Sequence, residues 1–236
     1  MSDWKRAVPT IGALAAVLTF LLNRLLEAVH LMPLAVASRE AAIVDSAFAA
    51  VLRIDVLVFS VVIAALVYIV AFFRADSGEG ARFTHSPGRL VETVWLAFSC
   101  VLTFGLAAYG SEEFLALRGD RRADVDVQVK AVQWSWDFSY PAYGATPATM
   151  ILPRGKRARI SLSSDDVLHA LSIPAFRLKQ DALPGRVTTL YVTPLLVGRY
   201  EIVCAELCGL DHTAMSSTVE VVEPEEFEAR LKGDTW

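Results

Sequence analysis

VDVQVKAVQWSWDFSY, residues 125–140, decides the class of the C-terminal half. Val125, Val127 and Val129 share one parity, whereas Trp134, Trp136, Phe138 and Tyr140 share the other. Side chains of a strand point alternately to its two faces, so a change of parity predicts a bulge or sharp bend, here near residues 131–133. Four alternating aromatics are by themselves the mark of one buried strand face. From about Asp124 onward the chain keeps this character, with short alternating runs cut by Pro and Gly, which is the signature of an all-β sandwich or barrel. Further strands are expected at residues 158–162, 167–173, 187–192, 200–204 and 217–222. Pro224, Glu225 and Glu226 suit the first turn of a short closing helix, with Phe227 and Leu231 on one face and Gly233 as its stop.

The N-terminal half reads differently. IDVLVFSVVIAALVYIVAFF, residues 54–73, has Asp55 as its one charge, at the edge, and its length suits ~30 Å of hydrocarbon. LVETVWLAFSCVLTFGLAAYG, residues 90–110, is a second such stretch, with Glu92 near its start and Trp95 where an interfacial aromatic belongs. Residues 40–53 carry Asp45, Ser46 and Arg53 and are expected to continue the first helix beyond the lipid. Residues 11–38 allow two readings. Lys5 and Arg6 precede an apolar run that Asn23, Arg24 and Glu27 interrupt, and Ala35-Val36-Ala37 resembles a signal cleavage site. A signal peptide and a retained, partly interfacial helix both fit, and the second is preferred. Arg74, Arg82 and Arg89 make the connection between the two clear stretches positive, which predicts that it faces the cytoplasm, although Arg118, Arg121 and Arg122 follow the second stretch. The expected division is therefore residues 1–39, a hydrophobic segment; 40–112, a transmembrane hairpin; and 113–236, a β domain.

Composition agrees with a membrane part. Of 236 residues 54% are apolar, and a net charge of -4 without a long basic block gives no sign of a nucleic-acid partner. Arg154, Lys156, Arg157 and Arg159 are expected to form the wet face of a strand. Cys100 lies alone in a hydrophobic run and suggests packing, whereas Cys204 and Cys208 sit four apart near a histidine and suggest metal.

Those two cysteines open CAELCGLDHTAM, residues 204–215. Two thiols, the imidazole of His212 and the thioether of Met215 follow at short spacing, and His169 is the other histidine of the β half. Soft sulfur with imidazole selects copper or zinc. A single-copper electron-transfer site uses one cysteine, two histidines and a weak axial methionine, and here a second cysteine is added, so two thiolates can bridge two metals. A structural zinc site of two cysteines and two histidines, or a disulfide, are the blander alternatives.

CAELCGLDHTAM together with DVLHALSIPAFRLKQDALPGR, residues 166–186, resembles subunit II of the cytochrome c oxidases, and the likeness runs from about residue 40 to the C-terminus. The resemblance implies a cupredoxin-like Greek-key domain anchored by transmembrane helices, with a binuclear copper centre (CuA). It implies one copper held by His169, both cysteines and Met215, and a second held by His212, both cysteines and the backbone carbonyl of Glu206. The Glu206 side chain would then reach a magnesium ion at the boundary with the catalytic subunit. Trp134 is implied as the place where the electron enters from cytochrome c, Asp165 and Asp166 as acids that attract that donor, and Glu92 as the mouth of a proton path. The loop PAYGATPATMILP lacks the acids common in the family. The implied setting is a proton-pumping oxidase of the bacterial inner membrane, in contact with lipid, a haem-carrying subunit I and other subunits, with the copper domain on the periplasmic side.

No CxxCH haem-attachment motif is present, so oxygen chemistry is expected of a partner. The competing readings are the copper-carrying subunit of a nitric oxide reductase, a structural subunit without copper, and a copper-delivery protein.

Overall fold

The computed structural model describes residues 3–29, 35–72, 88–118 and 122–233. They form two compact units: Met1–Pro33 with Ala47–Ser111, and Leu34–Ser46 with Glu112–Trp236.

The first unit is helical. α1 (Asp3–Val29), α2 (Arg39–Phe72) and α3 (Arg89–Arg118) are each long and apolar enough to cross a membrane. α3 has no buried residue, and its Val101 and Phe104 are open. Apolar surface on that scale belongs in lipid or against a partner. Cys100 is exposed as well, so the packing expected of it is not found among the described residues. The connection expected to face the cytoplasm falls on residues 73–87, outside the described residues apart from its end at Gly88 and Arg89, as do residues 30–34 of the stretch read in two ways.

At 34 residues α2 is about 51 Å long, well beyond the hydrocarbon of a bilayer. Its first turns belong to the second unit. Ser38 starts the helix: its Oγ accepts the Ala41 N–H at 3.0 Å, and Glu40 stands in the first turn, where the helix dipole favours an anion. Glu40 is 2% exposed and does further work. One oxygen lies 3.2 Å from an Arg157 guanidinium nitrogen and the other accepts the Thr193 N–H at 2.9 Å. Arg157 also donates to Leu117 O at 3.3 Å, near the end of α3, and stacks over Tyr191. Arg154, Lys156 and Arg159 are exposed as expected, but Arg157 turns inward because a buried carboxylate needs it. Asp45, one turn further along α2, takes two hydrogen bonds from Arg177, at 2.9 and 3.0 Å.

The rest of the second unit is a two-sheet β sandwich. One sheet runs β2 (Ser135–Ser139), β1 (Val125–Val132), β4 (Ala158–Ser164), β7 (Thr188–Val192). The other runs β3 (Met150–Pro153), β9 (Ser216–Val222), β8 (Gly198–Cys204), β5 (His169–Ile173), β6 (Leu178–Ala182). β1–β4 and β3–β9 pair in parallel and the other neighbours antiparallel, so the chain crosses repeatedly between sheets. Val127, Val129, Ile160 and Leu162 from one sheet meet Leu152, Leu171, Ile173 and Ile202 from the other in the core.

The parity change in the opening stretch is a hairpin turn. Val129 pairs with Phe138 and Ala131 with Trp136, so after a two-residue turn at Gln133 and Trp134 the even-numbered aromatics join the odd-numbered valines on the buried face. Trp136, Phe138 and Tyr140 are core; Trp134, in the turn, is not. Two strands escaped the alternation. All four residues of β3 are buried, and Tyr140 clips that strand in place through its hydroxyl, which donates to Ile151 O at 2.6 Å and accepts the Ile151 N–H at 2.7 Å. β6 is a half-exposed edge with mostly polar side chains. The closing helix, α4 (Pro224–Leu231), buries Phe227 and Leu231.

Candidate metal centre

Sheet register brings the candidate ligands to one end of the sandwich. Leu171 on β5 pairs with Cys204 on β8, and the Ala205 N–H donates to Ala170 O at 2.8 Å, so His169, two residues earlier on β5, arrives beside the thiol. The loop that follows Cys204 returns as the short 3-10 turn His212–Ala214, closed by the Met215 N–H on Asp211 O at 3.1 Å. The Cys204 N–H donates to Met215 O at 3.0 Å, which fixes the two ends of the loop together.

The donors converge. His169 Nδ1 lies 3.9 Å from Cys204 Sγ, the two Sγ atoms are 3.7 Å apart, and His212 Nδ1 lies 3.5 Å from Cys208 Sγ. Met215 Sδ is 3.8 Å from Cys208 Sγ, and Glu206 O is 3.3 Å from Cys204 Sγ. His169, Cys204, Cys208 and Met215 are buried. The thiols are free, at nearly twice the length of an S–S bond, which leaves out the disulfide. A tetrahedral zinc site would use two thiolates and two imidazoles and leave Met215 Sδ and Glu206 O without a purpose. Two sulfurs at bridging separation, an imidazole beside each, and one weak extra donor on either side fit copper. Burial first, then the hydrogen bond with Cys204, pushes the Cys208 thiol up to about 11, so at neutral pH a metal must displace its proton.

The family described as "Cytochrome C oxidase subunit II, periplasmic domain" matches residues 145–222. Cytochrome c oxidase subunit 2 of Thermostichus vulcanus is 30% identical over 81% of this chain and 75% of its own length. The chain belongs to the cytochrome c oxidase subunit II family. The subunit 2 of Synechocystis is 29% identical over 84% of the chain and 74% of its own length. Among solved structures, the periplasmic domain of subunit II of the Bradyrhizobium japonicum oxidase superposes with a TM-score of 0.45 at 30% identity, covering 48% of this chain and 94% of that one.

As a subunit II, the chain is part of an oxidoreductase complex: a membrane protein with an external β domain and a cysteine–histidine site of the copper type, made to work with a catalytic subunit I. Around that site the structure puts several residues to use. His169 presents Nδ1 to the sulfurs and Nε2 to Asp166, whose Oδ1 lies 2.9 Å away. Asp166 also accepts the Gln133 N–H at 2.7 Å, the Val167 N–H at 2.6 Å and the Ser164 hydroxyl at 3.2 Å. Burial alone would raise its carboxyl; these hydrogen bonds, His169 foremost, outweigh it and hold the group at about 2. Asp165 pairs with Lys130 at 3.0 Å. Glu206 separates its two polar groups, carbonyl toward Cys204 Sγ and carboxylate to Lys179 Nζ at 3.3 Å. Glu92 is exposed on the first turn of α3, in the helical unit rather than at the donor cluster.

Two residues that sequence reasoning passed over complete the surroundings. The Gln133 side-chain amide donates to Cys208 O at 2.7 Å, tying the hairpin turn to the metal loop. Gly209 lies against that turn: a Cβ there would be 2.8 Å from Gln133 Nε2 and 3.3 Å from two atoms of the Trp134 indole, and its φ is +126°. A glycine straight after the second cysteine was the available signal. Nothing in the sequence marks Gln133.

Proposed function

We propose that this chain accepts electrons from cytochrome c at a binuclear copper centre and passes them to haem in its catalytic subunit. The observation that carries this reading is the doubled donor set, two free thiols 3.7 Å apart with an imidazole nitrogen beside each. His169 and Met215 would hold one ion and His212 with Glu206 O the other, both cysteine sulfurs bridging. When bound, such a pair supplies a one-electron store shared over both ions, so that each bond changes little on reduction. The protein's part is to keep the donors fixed: His169 is braced by Asp166, the loop ends are tied together, and burial keeps water from rearranging around the sulfurs.

Trp134, partly exposed and in contact with Gly209, is the proposed point where the electron enters. The Glu206 carboxylate, already beside Lys179, is the proposed ligand for a magnesium ion shared with the catalytic subunit. Glu92 is proposed to open a proton path at the opposite end of α3. We assign the chain to a bacterial inner membrane, with its helices in lipid and the β unit on the periplasmic side. A copper-free structural role would leave the complete donor set without a purpose.

Visible absorption and EPR of the copper-loaded protein test the reading. A spectrum of one unpaired electron shared by two coppers is expected; a single-copper blue spectrum or a colourless zinc protein would sink it. Cys204→Ser and Cys208→Ser should each abolish the shared-electron signal, whereas Met215→Leu should keep the metal and alter the spectrum.

A further inference from the structure

His169 reaches the donor cluster from a different strand than the cysteines, so its ring has to be aimed. Asp166 fixes one corner, with Oδ1 2.9 Å from Nε2. The torsion that swings an imidazole about its Cβ–Cγ bond is broad rather than confined to sharp wells, so a hydrogen bond at one corner leaves the tilt of the ring soft. That tilt aims Nδ1 toward Cys204 Sγ, 3.9 Å away, and with it any bond the nitrogen makes to a metal there. A metal site needs its ligands held to within about 10–20°. A second body must therefore bear on the ring.

Trp136 is placed to do so. It stands on β2 opposite Ala131, and its side chain spans from that sheet to His169 on β5 of the other. The ring centroids are 6.2 Å apart with planes at 65°, an edge-to-face contact between an indole that is 6% exposed and an imidazole that is fully buried. A tryptophan at this position carries a polar cost. Its Nε1–H is buried without a hydrogen-bond partner among the described residues, and an unpaired donor in the interior is unfavourable. Two residues along the strand the same buried face takes Phe138, which has no such donor. The aromatic that bears the cost is the one against the ligand ring, where an indole gives a larger body than a phenyl.

We propose that Trp136 is a positioning residue for the metal centre: its indole, pressed on the His169 imidazole from the opposite sheet, sets the tilt of that ring, while Asp166 holds its Nε2 corner. The inference rests on the copper reading given above. With the tilt fixed, the His169 side of the donor set stays matched to the His212 side; with the tilt free, the two sides become unequal, and an electron shared between them is shared unevenly.

The test compares the full chain, loaded with copper, with three variants by EPR, copper titration and thermal melting. Trp136→Leu removes the indole, and Phe138→Leu makes the same kind of cut in the same strand. Both should lower the melting temperature, as large-to-small changes in a core do. Only Trp136→Leu should also bind copper about tenfold more weakly and show an altered copper hyperfine pattern. Trp136→Phe, which keeps a smaller ring, should fall between Trp136→Leu and the parent in both readouts. Trp136→Leu with the parent's affinity and hyperfine pattern would overturn the proposal. So would Phe138→Leu that alters both as strongly, since the effect would then be a general loosening of the sandwich. If Trp136→Leu does not fold, Trp136→Phe decides alone: an altered pattern is expected, and the parent's pattern contradicts the role. Failure of the copper reading is told apart from these outcomes, because it shows in the parent itself as the lack of a shared-electron spectrum.

Discussion

His169 uses both nitrogens of one ring. With Nδ1 facing the sulfurs, the proton must sit on Nε2, and Asp166 is there to accept it. The carboxyl, held at about 2, is ionised throughout the physiological range and so stays an acceptor for the ring. Asp166→Asn should therefore weaken copper binding by about 10- to 100-fold and shift the spectrum, whereas Asp165→Asn should do neither; copper titration followed by absorption separates the two. Gly209 is constrained from the other side. Gly209→Ala would place a methyl group 2.8 Å from Gln133 Nε2 on a backbone that disfavours any side chain. A loss of about 1–3 kcal/mol is expected in thermal melting, together with slower reduction by the donor as the Trp134 turn is pushed off the loop. Unchanged stability would mean that the turn yields freely.

At the scale of elements, the first turns of α2 are joined to the sandwich by a buried charge pair. Arg157→Ala leaves the buried Glu40 carboxylate without its guanidinium partner and should cost about 3–5 kcal/mol. Replacing both partners, as in Glu40→Gln with Arg157→Met, should recover most of that loss, because the cost lies in the unpaired charge rather than in the absent pair. Chemical denaturation of the single and double variants decides this; equal losses in both would contradict it. α4 carries a weaker, pH-dependent link. Lys232, and then the Tyr143 hydroxyl at 2.7 Å, hold the Glu228 carboxyl below its ordinary 4.5. A carboxylate whose folded pKa is depressed adds stability above the unfolded value and loses it as pH falls. The difference in melting temperature between the parent and Glu228→Gln should thus be present at neutral pH and fade below about pH 4.

For the whole molecule, the donor set lies within the β unit, but that unit does not consist of β structure alone. It takes in residues 34–46 and begins again at residue 112. A soluble fragment that starts at residue 122 would keep every proposed ligand yet leave Arg157 without Glu40. In that fragment Arg157→Met should leave the melting temperature unchanged or raise it, whereas the same change in the full chain should lower it. A fall in both would show that Arg157 acts through Tyr191 stacking instead. The apolar helices followed by a β sandwich were legible from hydrophobic period alone, because a twenty-residue apolar run and an alternating one have few other uses. β3 was not legible, since a strand buried on both faces does not alternate. β6 was not, since a polar edge strand looks like a loop.

CAELCGLDHTAM determined the kind of site by itself, since two thiols, an imidazole and a thioether within one loop leave few choices of metal chemistry. His169, 35 residues before Cys204, joins that loop through the β5–β8 register, a non-local pairing that no local pattern encodes. The same holds for Arg157, read as solvent-facing from its basic neighbours and turned inward by Glu40, 117 residues away. It holds too for Asp165 and Asp166, which the fold sets beside Lys130 and His169. Sequence fixes which groups the chain has; only the folded sheets decide which of them meet, because the free energy of a charge or a ligand depends on what lies within a few ångströms of it.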